Sequence, residues 1–336
     1  MVASSVLDLR GFQWGLESTR GTAVPATSKI LVPYIDFEPI DELFRPDEAR
    51  GLVQRYKGFE TPLRRGTKWT VPDAAYSYEQ APNWASMSIK GAVAPTGVGP
   101  YVYTYTRDPV ADPVPSAWTL ERRLSDATNF VDNEFAYAML SRITWKAAQN
   151  GPVLFNAEGF ARRIQASTFT AALSLPTPEL PVAALSKVYI DSTWANLGTT
   201  QIVGQVLDWE IGFNTGLSGI MTADGRTDLD FTGYIFGSAE VQLNVKIVML
   251  VKPGSGQYAT EKTAAEAQTL RAVRIQTTGS GSRDFKWNML LKHMQASVFK
   301  IGEREGQDIV ELNLVESTDG TNFFSHVITN NVAAIV

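Results

Sequence analysis

Hydrophobic and polar positions alternate along much of this chain. Leu207, Trp209, Ile211 and Phe213 are separated by Asp208, Glu210 and Gly212. A period of two puts the apolar set on one face of a half-buried strand. Val241, Leu243, Val245, Ile247 and Met249 repeat the pattern. There the opposite face begins polar at Gln242, Asn244 and Lys246 and ends apolar at Val248 and Leu250. That strand is expected to be solvated at its start and buried on both faces at its end. Tyr101, Tyr103 and Tyr105 alternate with Val102, Thr104 and Thr106, six residues that all favour strands. Phe299 and Ile301 precede Gly302-Glu303-Arg304-Glu305-Gly306, and Val310, Leu312 and Leu314 follow it. Two alternating runs around a Gly-bounded polar loop read as a hairpin.

Helical signals are few. Thr263-Ala264-Ala265-Glu266 fits a capping box, with Ala267 to Leu270 continuing it. Asp73 to Ala81 is a second candidate, stopped by Pro82. The expectation is one short helix per half in a mostly β protein. Segment 36–68 lacks a sustained strand pattern. Asp36, Glu38, Asp41, Glu42, Asp47 and Glu48 crowd its first part, and Arg55, Lys57, Arg64, Arg65 and Lys68 its second. A long loop inside a compact domain is usually functional or mobile. The segment reads either as a solvated surface loop or as an interaction arm with complementary charge blocks.

The two halves resemble each other. At an offset of 150, Thr119-Leu120 falls on Thr269-Leu270, Phe135 on Phe285, Met139-Leu140 on Met289-Leu290 and Ser167 on Ser317. The order of elements agrees better than the letters: an opening strand, a polar stretch, a strand block, a helix or turn, and a closing hairpin. A duplicated β domain is one reading of that self-similarity. The length of 336 residues leaves room for it, at about 150 residues per domain.

Composition narrows the function classes. With 44% hydrophobic and 19% charged residues, the chain has core material enough to exclude general disorder. A net charge of −5 argues against a general nucleic-acid binder. Cysteine is absent, which removes disulfides, thiolate metal sites and a cysteine nucleophile. The strongest apolar run, Ile247 to Val251, is far short of the ~20 residues that span a bilayer. The first residues carry neither a basic nor an apolar signal-peptide region, so none is expected.

Candidate chemistry is thin. The two histidines are His293, within an apolar strand-like run, and His326, beside Ser325. The first reads as a core or interface residue, and adjacency does not make the second a catalytic pair. Asp224, Asp228 and Asp230 could offer oxygen ligands to Ca²⁺, but an Asp-Gly turn opening a strand accounts for them as well. The glycines at 254–256 and 279–282 lack the context of a phosphate cradle. The run Arg55 to Lys68, with Tyr56 and Phe59, superficially resembles a nucleic-acid stripe, but the acidic block beside it competes for its cations.

Three stretches carry a resemblance. They are Gly15-Leu16-Glu17-Ser18-Thr19-Arg20-Gly21-Thr22-Ala23, then Tyr101 to Thr106 with Trp118-Thr119-Leu120-Glu121-Arg122, and Ser218 to Phe231 followed by Val241 to Val251. Together they resemble the tail tube, or major tail, proteins of siphophages. The resemblance covers most of the chain. It implies a mainly β chain with two tandem tail-tube-like β-sandwich or barrel domains, residues 1–175 and 176–336, each with about one short α-helix. These would contribute strands to an intersubunit β-barrel. The family usually builds rings of six such folds, and this chain departs from it by its double length. Either the fold is duplicated, with three chains per ring, or one fold carries a decorating domain.

The implied function is structural and non-enzymatic: stacked rings forming the conduit for genome ejection. No catalytic residue, cofactor or metal is implied. The implied partners are further copies of the chain, a tape measure protein, a tail terminator and tail-tip proteins, with DNA passing through without specific binding and no membrane. The implied location is the virion tail, assembled in the host cytoplasm. The candidate inter-ring or intersubunit arm comprises Asp41, Glu42, Arg45, Asp47, Glu48, Arg55, Lys57, Arg64, Arg65 and Lys68. The competing readings are a virion β-sandwich that binds a receptor or glycan through exposed aromatics, and a hydrolase with an unrecognised site.

Overall fold

A computed structural model describes residues 10–44, 61–125, 129–175, 177–225, 227–252, 256–294, 299 and 301–335. The chain is mainly β. Its first half contains β1 (Gly11–Leu16), β2 (Ser28–Lys29), β3 (Asp36–Phe44), β4 (Thr61–Ala75), α1 (Ala81–Ser88), β5 (Tyr101–Arg107), β6 (Trp118–Ser125), β7 (Phe130–Ala148), β8 (Leu154–Ala161) and β9 (Gln165–Ala166). Its second half contains β10 (Ser186–Asp191), β11 (Val206–Asn214), β12 (Leu217–Ile220), β13 (Gly233–Phe236), β14 (Gln242–Leu250), α2 (Gln257–Glu266), β15 (Arg271–Thr278), β16 (Asp284–His293), β17 (Ile301–Arg304), β18 (Gln307–Glu316) and β19 (Phe324–Asn330).

One antiparallel path of six strands occurs twice. In the first half it runs β1, β6, β7, β8, β4, β3. In the second it runs β10, β15, β16, β18, β14, β11. Each copy places its helix after the strand that pairs with the closing hairpin, α1 after β4 and α2 after β14. Registers also correspond. Trp118 pairs with Ala138 as Arg271 pairs with Leu291. Asp36 pairs with Thr70 as Glu210 pairs with Lys246.

Two seams join the halves. The end of β7 pairs with β11, from Arg142–Asn214 to Ala148–Asp208. β5 pairs with β19, which in turn pairs with β16. One continuous hydrophobic core crosses both seams, and Trp14, Trp69, Trp84, Trp118, Trp145 and Trp287 lie fully buried in it. Burying aromatics of this size supplies a large share of the folding free energy.

The strands expected around Tyr101, Leu207 and Val241 are present as β5, β11 and β14. In β14 the outward residues Gln242 and Asn244 are exposed, while Val248 is buried with Ile247 and Met249. Other expectations need correction. Residues 73–81 are not a helix: β4 runs to Ala75, and α1 begins at Ala81 with Pro82 in its first turn. A first-turn proline loses no helical hydrogen bond, so Pro82 opens the helix rather than ending one. The capping box at Thr263 is also absent. Thr263 lies inside α2 and donates its hydroxyl to the Ala259 carbonyl at 2.9 Å, and Gly256 caps the helix. The polar stretch 302–306 is mostly strand. Only Glu305 and Gly306, both at positive φ, turn the hairpin between β17 and β18. Neither helix is long and apolar enough to cross a membrane.

Candidate functional site

The described parts of segment 36–68, which lacked a strand pattern in the sequence, form a two-stranded arm. β3 and β4 pair from Asp36–Thr70 to Phe44–Thr61, and β8 supports β4 only from Thr67 onward. The outer part of the hairpin therefore projects past the sheet. Alternation is missing from its sequence because nothing covers either face there: Asp41 to Phe44 are all exposed. Charges on opposite strands meet each other. Arg65 lies 3.6 Å from Asp41 and Arg64 lies 3.6 Å from Glu42. Lys68 stands directly across from Glu38. Half-exposed pairs of this kind contribute at most about 1 kcal/mol each. Among the described residues, the opposite charges of the two blocks thus meet across the hairpin's own strands. Leu43, Phe44 and Leu63 expose apolar surface at its far end. Arg45, Asp47, Glu48, Arg55 and Lys57 lie outside the described residues.

The arm is tied to the second half. The Arg65 amide donates to the Leu229 carbonyl at 2.9 Å, and Arg65 bridges Asp230 in parallel register. Asp230 is 1% exposed. Burial pushes its carboxyl up, the Arg163 amide donating to it at 2.7 Å opposes that, and the charge of Asp228 adds to it. Asp228 also accepts the Asp230 amide at 3.3 Å, closing a short turn. Among the described residues no three His, Asp or Glu side chains converge as a metal site.

The β12–β13 hairpin occupies the position in the second half that corresponds to the outer arm. It does not project. Leu217 and Phe231 pack with Tyr137 and Met139 in a small separate core.

The stretch Gly15 to Ala23 organises the entry to this region. Buried Glu17 accepts the Gly21 amide at 2.6 Å, the Thr119 hydroxyl at 3.0 Å and the Tyr137 amide at 2.7 Å. Tyr137 sits at φ 60°, a left-handed backbone that a non-glycine residue adopts at a cost, next to the bulge between β6 and β7. A Cβ on Gly15 would stand 2.5 Å from the Pro25 carbonyl oxygen, so only glycine fits there. Arg20 donates to the Pro115 carbonyl at 2.9 Å and lies over the Tyr234 ring. These residues therefore hold β1, β6, β7 and the β12–β13 hairpin together.

The β7–β11 seam presents one polar face. Lys146 stands across from Glu210, which stands across from Lys246. Lys146 also contacts Asp73 at 2.7 Å, and Lys246 contacts Glu311 at 2.9 Å. Two shallow depressions of about 240 and 310 Å³ cross this face, both lined by Glu210 and Lys246. Local sequence does not reveal the seam, because the choice of β11 as neighbour of β7 is a long-range event. The alternation of both strands was its only signal.

Both histidines are internal. His293 reaches Glu261 at 3.1 Å, and Glu261 also accepts from Arg271 and Gln257. His326 stacks face to face on Trp287, centroids 4.8 Å apart and planes 7° apart. Its neighbour Ser325 accepts from Asn288 at 3.0 Å.

No protein-family model matches the chain, and no curated protein matches it in sequence.

Proposed function

We propose that this chain is a structural subunit of a phage-type tail tube. Each chain supplies two tube units, residues 1–175 and 176–336, and three chains close a ring of six units that stacks into a conduit for DNA. The observation that carries this reading is the repeated six-strand path, with the two copies joined edge to edge through β7 and β11. A unit that joins its own duplicate through strand pairing has the geometry to join further copies. Closure then removes sheet edges that would otherwise invite aggregation.

The polar seam face suits a lumen wall. Its lysines are matched by carboxylates, as in Lys146–Asp73 and Lys246–Glu311. A phosphate backbone sliding past meets few free cations and is not held. The projecting β3–β4 hairpin, with Leu43, Phe44 and Leu63 exposed, is proposed as the contact to the next ring. The reading is non-enzymatic and places the protein in the virion tail after assembly in host cytoplasm. Tape measure, terminator and tail-tip proteins are its proposed partners.

Negative-stain microscopy with native mass spectrometry tests the proposal. Rings of three chains that stack into tubes are expected. Leu43→Ser, Phe44→Ser and Leu63→Ser together should leave rings intact and prevent stacking. Protein that stays monomeric at every concentration rules out the tube, and unimpaired tubes from the triple variant rule out the arm's role.

A further inference from the structure

The internal seam specifies how one chain would meet the next. We propose that chains join head to tail, the outer edge of β17 in one copy pairing antiparallel with the outer edge at the start of β3 in a second copy. This rests on the tube reading and adds to it the two edges that form the ring joint.

The two edges are the counterparts of the edges already joined within the chain. At its end, β7 lies along β8 with Trp145 opposite Phe155 and Lys146 opposite Leu154. β17 lies along β18 in the same way, with Ile301 opposite Val310 and Gly302 opposite Ile309. β11 lies along β14 as β3 lies along β4. Within the chain the end of β7 also pairs with β11. The corresponding partners are missing: among the described residues β17 ladders with β18 alone and β3 with β4 alone. Among the described residues no strand takes up the outer donors and acceptors of either edge, and such a row is the feature by which one sheet recruits another.

The register follows from the same correspondence. Trp145 pairs with Ile211 and Lys146 with Glu210 inside the chain. Their counterparts set Ile301 opposite Phe37 and Gly302 opposite Asp36 of the second copy. The surfaces suit the pairing. All four β17 residues are exposed, and Ile301 leaves about half its surface in solvent. Phe37 is anchored beneath its edge by stacking on Phe135, centroids 3.8 Å apart, so the receiving strand is already held in place. Pro39 has no N–H to give, which stops the ladder from running further along β3. The contact uses two different edges, so it repeats from chain to chain and closes into a ring when the rotation allows.

The absence of native cysteine makes the test clean. Residues opposed in an antiparallel pair have Cα atoms about 4.5–5.5 Å apart, within disulfide range. Asp36→Cys and Gly302→Cys in one chain should yield, on oxidation, a covalent ladder ending in a trimer that reducing agent collapses. Either cysteine alone should give no ladder. A Cβ on Gly302 meets only the Ile309 side chain, at 3.5 Å, so the site accepts substitution. In a second arm, Gly302→Asp faces Asp36 and should lower ring yield by about tenfold, with Asp36→Lys restoring it. Rings of the double-cysteine protein that stay uncrosslinked on oxidation, or rings that ignore the charge pair, overturn this joint and leave the tube reading standing. Protein that never assembles overturns both.

Discussion

Acid should destabilise this protein in part through one histidine packed among aromatic rings. His326 is fully buried, stacked on Trp287 and flanked by Tyr76, Trp145 and Phe285. Its Nδ1–H donates to the Lys286 carbonyl at 3.4 Å, and its Nε2 accepts the Tyr76 hydroxyl at 3.2 Å. That arrangement uses both nitrogens of the neutral ring and gives a second ring proton no carboxylate to meet. Burial holds the imidazole down to about 3, against an ordinary value of 6.5. The phenol of Tyr76 is pushed up by burial and stays protonated throughout. The folded value lies below the unfolded one, so the native state is favoured fully above pH 6.5. That advantage is lost as the pH falls from 6.5 towards 3.

At about 1.4 kcal/mol per pH unit, the loss between pH 6.5 and 4.5 is about 2–3 kcal/mol. Because pH 4.5 still lies above the folded value, the ordinary value alone sets the loss there. The variant His326→Gln removes the titration and keeps an acceptor for the Tyr76 hydroxyl. Urea unfolding at pH 7 should show it weaker by about 1–2 kcal/mol, from lost ring stacking and packing. At pH 4.5 the gap to the unsubstituted protein should have closed or reversed. Carboxylates held low, such as Asp132 by its hydrogen bond from Arg123 and Asp73 by that from Lys146, lose their contribution only in more acid solution, and do so in both proteins. Parallel stability-versus-pH curves for the two proteins from pH 7 to 4.5 would refute the assignment.

Glu17→Ala strands the Gly21 and Tyr137 amides and the Thr119 hydroxyl in a buried site. A loss of about 2–4 kcal/mol is expected in urea unfolding, and a change under 0.5 kcal/mol would mean that these donors find other partners. Glu261→Ala leaves Arg271 and His293 buried without their carboxylate, and a cost of about 3–5 kcal/mol is expected. In that variant hydrogen exchange should quicken first in α2, and uniform quickening across the chain would argue against a local role.

The legible parts of the sequence were those where one strand face meets the core and the other meets solvent. In β11, Trp209, Ile211 and Phe213 are buried while Glu210 is exposed, so a period of two survives in the letters. The arm was illegible for the opposite reason: from Asp41 to Phe44 both faces are exposed, and burial imposes no period. Its charges were visible, but their partners were not, since Asp41–Arg65 and Glu42–Arg64 require the hairpin to be known first. α1 was misplaced because a proline can either stop a helix or open one, and only the backbone context separates the two. The repeat suffered from a fixed offset. Asp36 corresponds to Glu210 and Trp118 to Arg271, and these displacements differ. The segment carrying β5 stands between the helix and the next strand of the path only in the first half, so no single spacing can align both ends.

Corresponding positions in the two halves also show how copies of one layout can take different loads. Every residue of α1 is buried, and Trp84 packs edge-on against Trp14 at 4.8 Å. Trp118 donates its indole N–H to Ser86 on that helix at 3.1 Å. Its counterpart is Arg271, which instead grips Glu261 on α2, and α2 buries only Glu261, Ala264 and Ala265. Aromatic packing gains free energy directly from burial, whereas a buried ion pair must first offset the desolvation of both charges. The first helix is therefore an inseparable part of the core. The second is a half-exposed element held by directional contacts, which fix its position while adding little net stability. In the joint proposed above, the receiving edge would be the one held by Phe37 on Phe135, and the incoming edge, β17, exposes all four of its residues.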